Sequence, residues 1–261
     1  MDGVIYVATG ADYVDLALQS LATLRASNPG LSADLFTDDT RASGLDLFDA
    51  VHSVPIVHPR AKLECMALTR FDRTLFLDAD TLVVGDLGNV WDILDRFDLA
   101  MAHDVRRASD LIREGLDATT PYAFPQLNSG VVLYRRSAAV ADFLADWLSR
   151  FHSSGVTRDQ IVLKDALWQS DIRFYVLPPE FNLRRVTMLD AWEPMDAEVK
   201  IVHSHRLMDH LRVPGAVRIG DLHTLLRVER EALVSEWRAE DDPDRIGWFT
   251  SKRGARLPGH P

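Results

Sequence analysis

Short apolar runs rich in β-branched residues alternate with stretches of helical period along most of this chain. Residues 4–9 are apolar at nearly every position, as a strand covered on both faces must be, and Gly10 breaks the run. Leu16, Leu18, Leu21 and Leu24 then recur near helical spacing until Asn28, Pro29 and Gly30 stop the helix. Further strands are predicted at 33–37, 50–54, 73–77, 99–102, 130–134, 172–177 and 199–203. Helices are predicted over 62–71, 87–97, 138–151, 158–168 and 222–237. This alternation specifies an α/β fold with a mostly parallel central sheet flanked by helices.

The 261 residues, 47% of them apolar, suffice for one full core, so one catalytic domain over residues 1–250 and a flexible tail over 251–261 are expected. Acidic residues outnumber basic ones by 39 to 29, and a formal charge of -10 repels phosphate backbones, which argues against nucleic acid as a partner. Cys65 is the single cysteine and reads as a buried small side chain in a protein of a reducing compartment. Met1, Asp2 and Gly3 lack the basic region of a secretory leader, and no apolar run approaches the roughly 18 residues of a membrane span. A cytoplasmic protein is expected, and a homodimer is compatible with the chain.

The strongest local signal is the strand at 73–77 running straight into Asp78, Ala79 and Asp80, an Asp-x-Asp (DxD) motif. In extended backbone, side chains two positions apart point the same way, so the two carboxylates can converge on one ion. They leave the C-terminal end of a strand, where open α/β sheets bind their ligands. Two hard oxygen donors suit Mg2+ or Mn2+, which acts as a Lewis acid toward a diphosphate leaving group. The same string also fits a haloacid-dehalogenase-type phosphatase, in which the first Asp attacks phosphorus and the second shuttles a proton. That motif sits on the first strand of its domain, however, whereas several elements precede Asp78 here, and no later pair of acids on an apolar strand completes the site.

The ordered blocks Ala8-Thr9-Gly10-Ala11-Asp12-Tyr13, Lys62 to Arg70, Asp78-Ala79-Asp80, Asn128-Ser129-Gly130-Val131, Asp159-Gln160 and Lys200-Ile201-Val202-His203 resemble those of family 8 glycosyltransferases. That family includes glycogenin and the bacterial galactosyltransferases that build lipopolysaccharide. The resemblance covers about residues 4–205. It implies a GT-A (Rossmann-like nucleotide-diphospho-sugar transferase) fold, a nucleotide-sugar donor of the UDP-sugar type, Mn2+ with Mg2+ as the alternative, and retention at the anomeric carbon. The acceptor would be a glycan, a lipid-linked sugar or a small molecule. A catalytically inactive protein that only binds nucleotide-sugar remains the non-enzymatic alternative.

Carried over residue by residue, Ala8, Thr9 and Tyr13 would hold the uridine, with Tyr13 stacked on the base. Lys62, sixteen positions before Asp78, would approach the donor sugar or phosphate, and Ala79 would line the same site. Asn128 and Ser129 would bond sugar hydroxyls, with Gly130 permitting close backbone approach. Asp159 and Gln160 would lie beneath the reacting sugar. His203 would complete a metal site with Asp78 and Asp80, although His205 shares its face if the strand continues. The family follows this His with a Gly and then a Lys that grips the diphosphate, but here the chain reads Ser204, His205, Arg206, Leu207, Met208 and Asp209. Arg206, or Arg212 further on, is expected to supply that charge.

Trp91, Trp147, Trp168 and Trp237 fall in helical segments and read as core. Tyr122, Phe124 and Trp192 sit in irregular segments, where an acceptor platform is the alternative to loop cover. The long polar stretch 104–126 reads as a binding loop or lid.

Overall fold

The computed structural model describes residues 1–58, 60–105 and 116–239, with side chains through residue 235. Seven strands form the main sheet: β1 (Asp2–Ala8), β2 (Ser32–Thr37), β3 (Ala50–Ser53), β4 (Arg73–Leu77), β6 (Leu99–Ala102), β7 (Val131–Arg135) and β8 (Phe174–Leu177). Their order is β3-β2-β1-β4-β7-β6-β8. The first four are mutually parallel, β7 runs antiparallel to β4 and β6, and β8 is parallel to β6. The mostly parallel α/β sheet is therefore present, with one reversed strand in its middle.

Alternation along the strands feeds two cores. Val4, Tyr6, Leu75 and Leu77 pack on one face with helix α1 (Ala11–Ser27), and Ile5, Phe76, Val132 and Tyr134 pack on the other. Helices α2 (Lys62–Met66), α3 (Ala138–Ser154) and α4 (Asp159–Gln169) cover that second face. Trp147 is fully buried there and donates its indole N–H to the carbonyl of Asp159 at 3.0 Å, which pins the start of α4. Burial of such a side chain is worth about 3–5 kcal/mol against alanine.

A separate two-stranded ribbon pairs β5 (Thr81–Val83) antiparallel with β9 (Ile201–His203). Short helix α5 (Asp209–Arg212) follows β9, and α6 (Leu222–Ala239) contributes Leu225 to a third core with Leu82, Val202, Leu183 and Leu207. The last strand is thus present where the sequence places it, but outside the main sheet.

Two predicted helices are shorter or differently wound. The one expected over 62–71 ends at Met66, because Leu68 turns back on Cys65 and the Thr69 hydroxyl accepts the Phe71 N–H. Arg70 then reaches away to grip Asp34 through two bonds, at 2.7 and 2.9 Å. The one expected over 87–97 is a 3-10 helix confined to Val90–Asp95. Cys65, Trp91 and Trp147 are buried as expected, whereas Trp168 is 44% exposed and packs its ring on Phe124. The tail at 251–261, the Trp237 side chain and positions 106–115 of the expected lid lie outside the described residues.

Candidate metal centre and donor cleft

Asp78 follows β4 directly, and its N–H still bonds the Gly130 carbonyl at 2.8 Å, so the β4–β7 ladder runs up to the motif. The turn after it is fastened from below. The Thr81 hydroxyl donates to the Asp78 carbonyl at 2.8 Å and meets Ser20 Oγ at 2.8 Å, which in turn meets the Tyr6 hydroxyl at 3.1 Å. Burial pushes the Tyr6 phenol above its ordinary range, keeping it protonated as a hydrogen-bonding group.

Thr81 opens β5, and the ribbon register sets Thr81 opposite His203. Ser204 N–H bonds the Asp80 carbonyl at 3.1 Å. The ribbon therefore delivers the imidazole to the acids: His203 Nε2 lies 3.3 Å from Asp80 Oδ1 and 3.8 Å from Asp78 Oδ2. One ligand atom from each of the three lies within 4.8 Å of the other two, a spacing one cation can bridge. The chain turns into a 3-10 helix at His205, which is exposed, so the choice between the two imidazoles falls on His203.

The far side of the ring is also arranged as a metal ligand requires. Asn182 Oδ1 lies 3.0 Å from His203 Nδ1, which leaves Nε2 for the ion when Nδ1 carries the ring proton. Asn182 Nδ2 donates to Asn128 Oδ1 at 3.0 Å, and Asn128 Nδ2 donates to Gln160 Oε1 at 2.8 Å. Burial alone would push the Asp80 carboxyl up, but the charge and hydrogen bond of His203 when its Nε2 bears a proton, together with Arg184, hold it below the usual carboxylate range, and an ion would take that proton's place. It stays ionised and able to ligate.

A second His-Glu-His group, His58, Glu64 and His152, has a different character. His58 Nδ1 accepts the Arg60 N–H at 3.1 Å, so a neutral ring carries its proton on Nε2, aimed at Glu64 Oε1 2.8 Å away. The proton occupies the place an ion would take.

These residues face a cleft of about 1110 Å³ whose walls include Thr9, Tyr13, Lys62, Asp78, Ala79, Asp80, Asn128, Ser129, Asp159, Gln160, His203, Arg206 and Arg212. The structure thus brings together every expected site residue except Ala8, whose side chain is buried in the core between Val7 and Thr9, which both line the cleft. Several are also engaged within the protein. Lys62 Nζ donates to the Ser129 carbonyl at 2.9 Å and to Ser129 Oγ at 3.1 Å, and sits 3.4 Å from Asp78 and 3.5 Å from Asp159. Burial raises the Asp159 carboxyl, and Lys62, the Ser129 hydroxyl and Arg60 overcome that, holding it below its ordinary range. Arg206 is tied to Glu229 at 3.1 Å and to Asp209 at 3.4 Å. A Cβ at Gly130 would collide with the His203 imidazole and the Asp78 carboxylate.

Asn182 and Arg184 were not legible as site features. Asn182 and Arg184 lie in an irregular segment, and the bridge between Leu183 and Val202 brings Asn182 to the His203 ring and Arg184 to the cleft.

No family model matches the chain. Human glycogenin-1 is 31% identical over 170 residues, 61% of this chain and 43% of that protein, and mouse glycogenin-1 is 28% identical over 179 residues, 65% and 48%. The chain is similar to family 8 glycosyltransferases. It spans less than half the length of these curated relatives. Among solved structures, galactosyltransferase LgtC, crystallised with donor and acceptor sugar analogues, superposes with a TM-score of 0.56 at 16% identity over 92% of this chain and 99% of that one. The glycosyltransferase GlyE of Streptococcus pneumoniae TIGR4 gives 0.55 at 17% identity, over 92% of this chain and 64% of that one. These likenesses establish the GT-A type of fold.

Proposed function

We propose that this chain is a divalent-metal-dependent, retaining glycosyltransferase that moves a sugar from a UDP-sugar to a hydroxyl of a glycan, lipid-linked or small-molecule acceptor. The observation that carries this reading is the meeting of Asp78, Asp80 and His203 on one side of the donor cleft, from segments far apart in sequence. Two carboxylates and an imidazole suit Mn2+, with Mg2+ as the alternative. When bound, the ion supplies Lewis-acid neutralisation of the charge that grows on the departing diphosphate.

The protein's own groups do the positioning. Tyr13, 42% exposed on the cleft wall, offers a face for the base. Gln160 is held from both ends: its Oε1 accepts from Asn128 and from the Ser129 N–H, while its Nε2 donates to Asp104 at 3.1 Å and Gln126 at 3.3 Å. Its amide is therefore fixed on the cleft wall, where this reading puts the reacting sugar. Asp159, locked between Lys62 and Arg60, is unsuited to attack carbon and serves to orient. With that carboxylate committed, front-face displacement is favoured, the acceptor hydroxyl losing its proton to the leaving phosphate oxygen.

The fold favours this reading over the phosphatase, since the acids follow the fourth strand of a GT-A-type sheet. A buried, unpaired Cys65 suits a reducing compartment such as the cytoplasm, and no described helix is long and apolar enough to cross a membrane. The test is hydrolysis of UDP-sugar with Mn2+. Wild type turns over slowly, whereas Asp80→Asn, which keeps the shape and removes a charged ligand, loses on the order of 100-fold. Undiminished turnover in that variant refutes the metal assignment, and release of phosphate from simple phosphomonoesters supports the phosphatase instead. Binding without any turnover by wild type supports the catalytically inactive nucleotide-sugar-binding alternative.

A further inference from the structure

We propose that Arg184 grips the donor diphosphate, an assignment that rests on the nucleotide-sugar reading above. A divalent ion between Asp78 and Asp80 has its charge largely balanced by those carboxylates, so an incoming diphosphate needs a further cation, and a guanidinium fork matches phosphate oxygens.

Most cations on the cleft wall are already engaged. Lys62 is spent on Ser129, Asp78 and Asp159, and Arg60 on Asp159 and the Thr157 carbonyl. Arg206 is held by Glu229 and Asp209, and Arg212 by the Tyr13 hydroxyl at 3.3 Å and Met208 Sδ at 3.5 Å. Arg158 and Arg185 are exposed, where water and salt screen them.

Arg206 Nε also lacks a hydrogen-bond partner, but it lies 3.1 Å from Glu229, whereas Arg184 combines partial burial with the absence of an ion pair among the described residues. It lines the cleft and leaves its Nε buried without a hydrogen-bond partner. An orphaned buried donor of this kind costs free energy until an acceptor arrives.

Its position follows from the backbone. Leu183 N–H bonds the Ile201 carbonyl at 2.8 Å, and the His203 N–H bonds the Leu183 carbonyl at 3.1 Å. Asn182, just before, holds the His203 ring, and Arg184 comes just after. One short segment thus orients a metal ligand and sets a guanidinium beside it.

The experiment is calorimetric titration of UDP and UMP, with saturating Mn2+, into wild type, Arg184→Met and Arg184→Lys. Methionine preserves the aliphatic stem and removes the charge. UDP affinity should fall about tenfold to a hundredfold in Arg184→Met, as for loss of a charge-assisted hydrogen bond, with Arg184→Lys between the two. UMP, which lacks the second phosphate, should change by no more than about twofold. Unchanged UDP binding in Arg184→Met, still dependent on Mn2+, overturns the assignment and leaves the transferase reading standing. Equal losses for UDP and UMP in both variants, with a lowered thermal midpoint, assign Arg184 a structural role and also overturn it. If wild type binds no UDP in Mn2+, both readings fall.

Discussion

Gly130 has no room for a side chain because the His203 imidazole already fills that space: a Cβ built on Gly130 would lie 2.1 Å from His203 Cε1 and 2.7 Å from an Asp78 carboxylate oxygen. Both neighbours are proposed metal ligands, and Asn182 holds the ring from the other side. Neither can yield without spoiling the site. Gly130→Ala should therefore keep the fold and lose Mn2+ affinity by about tenfold or more, comparable to the removal of an orienting partner. Calorimetric titration with Mn2+ checks this, and a wild-type dissociation constant in the variant refutes it.

Lys62 is expected to matter for stability as much as for substrate. Its side chain is 8% exposed and that of Asp159 2% exposed, and the two lie 3.5 Å apart. Removing one partner of such a pair strands the other charge, which costs about 3–5 kcal/mol, and the residual contact with Arg60 puts Lys62→Met toward the lower end. The double variant Lys62→Met with Asp159→Leu should recover much of that loss, because no buried charge remains unpaired. Urea unfolding of the single and double variants decides it; an unaltered midpoint in Lys62→Met contradicts the account.

Asp98 provides a pH signature away from the cleft. Burial pushes its carboxyl up, but the Arg173 N–H at 3.0 Å and the Arg135 guanidinium overcome this and hold it below the usual range. A depressed folded-state pKa means that the contribution is complete above the unfolded value, near 3.9, and disappears as pH falls through the folded one. Asp98→Asn should thus be less stable than wild type by about 1–3 kcal/mol at neutral pH, with the gap closing only below about pH 4. Denaturation midpoints of the two proteins from pH 7 to pH 3 test the sign; a gap that widens on acidification would be inconsistent with it.

Much of the architecture is written in local pattern. Strands such as β4 and β6 follow from apolar runs with turn signals at both ends, and Asp78 with Asp80 follows from two-residue periodicity. The early end of α2 depends on Arg70 leaving for Asp34, a partner 36 positions away that local periodicity does not record. Asn182 and Arg184 are invisible for the same reason, since their importance arises from Leu183 pairing with Val202. Gly130 was visible as a small residue, but whether its vacancy serves a ligand or an imidazole depends on the fold of the β5–β9 ribbon. Sequence pattern marks what a segment does alone, whereas the orienting contacts come from segments that meet only after folding.

That ribbon carries a consequence of its own. Asp78 leaves the main sheet at the end of β4 and Asp80 leads into β5 of the ribbon, while His203 arrives on β9, where Val202 packs with Leu225 of α6 in a core separate from the other two. An ion shared by the three would act as a rivet between the end of β4 and the ribbon. Local loosening of the C-terminal third would then be opposed by the cation's binding energy, and any strain that lifted the ribbon would weaken the grip on the ion by the same amount.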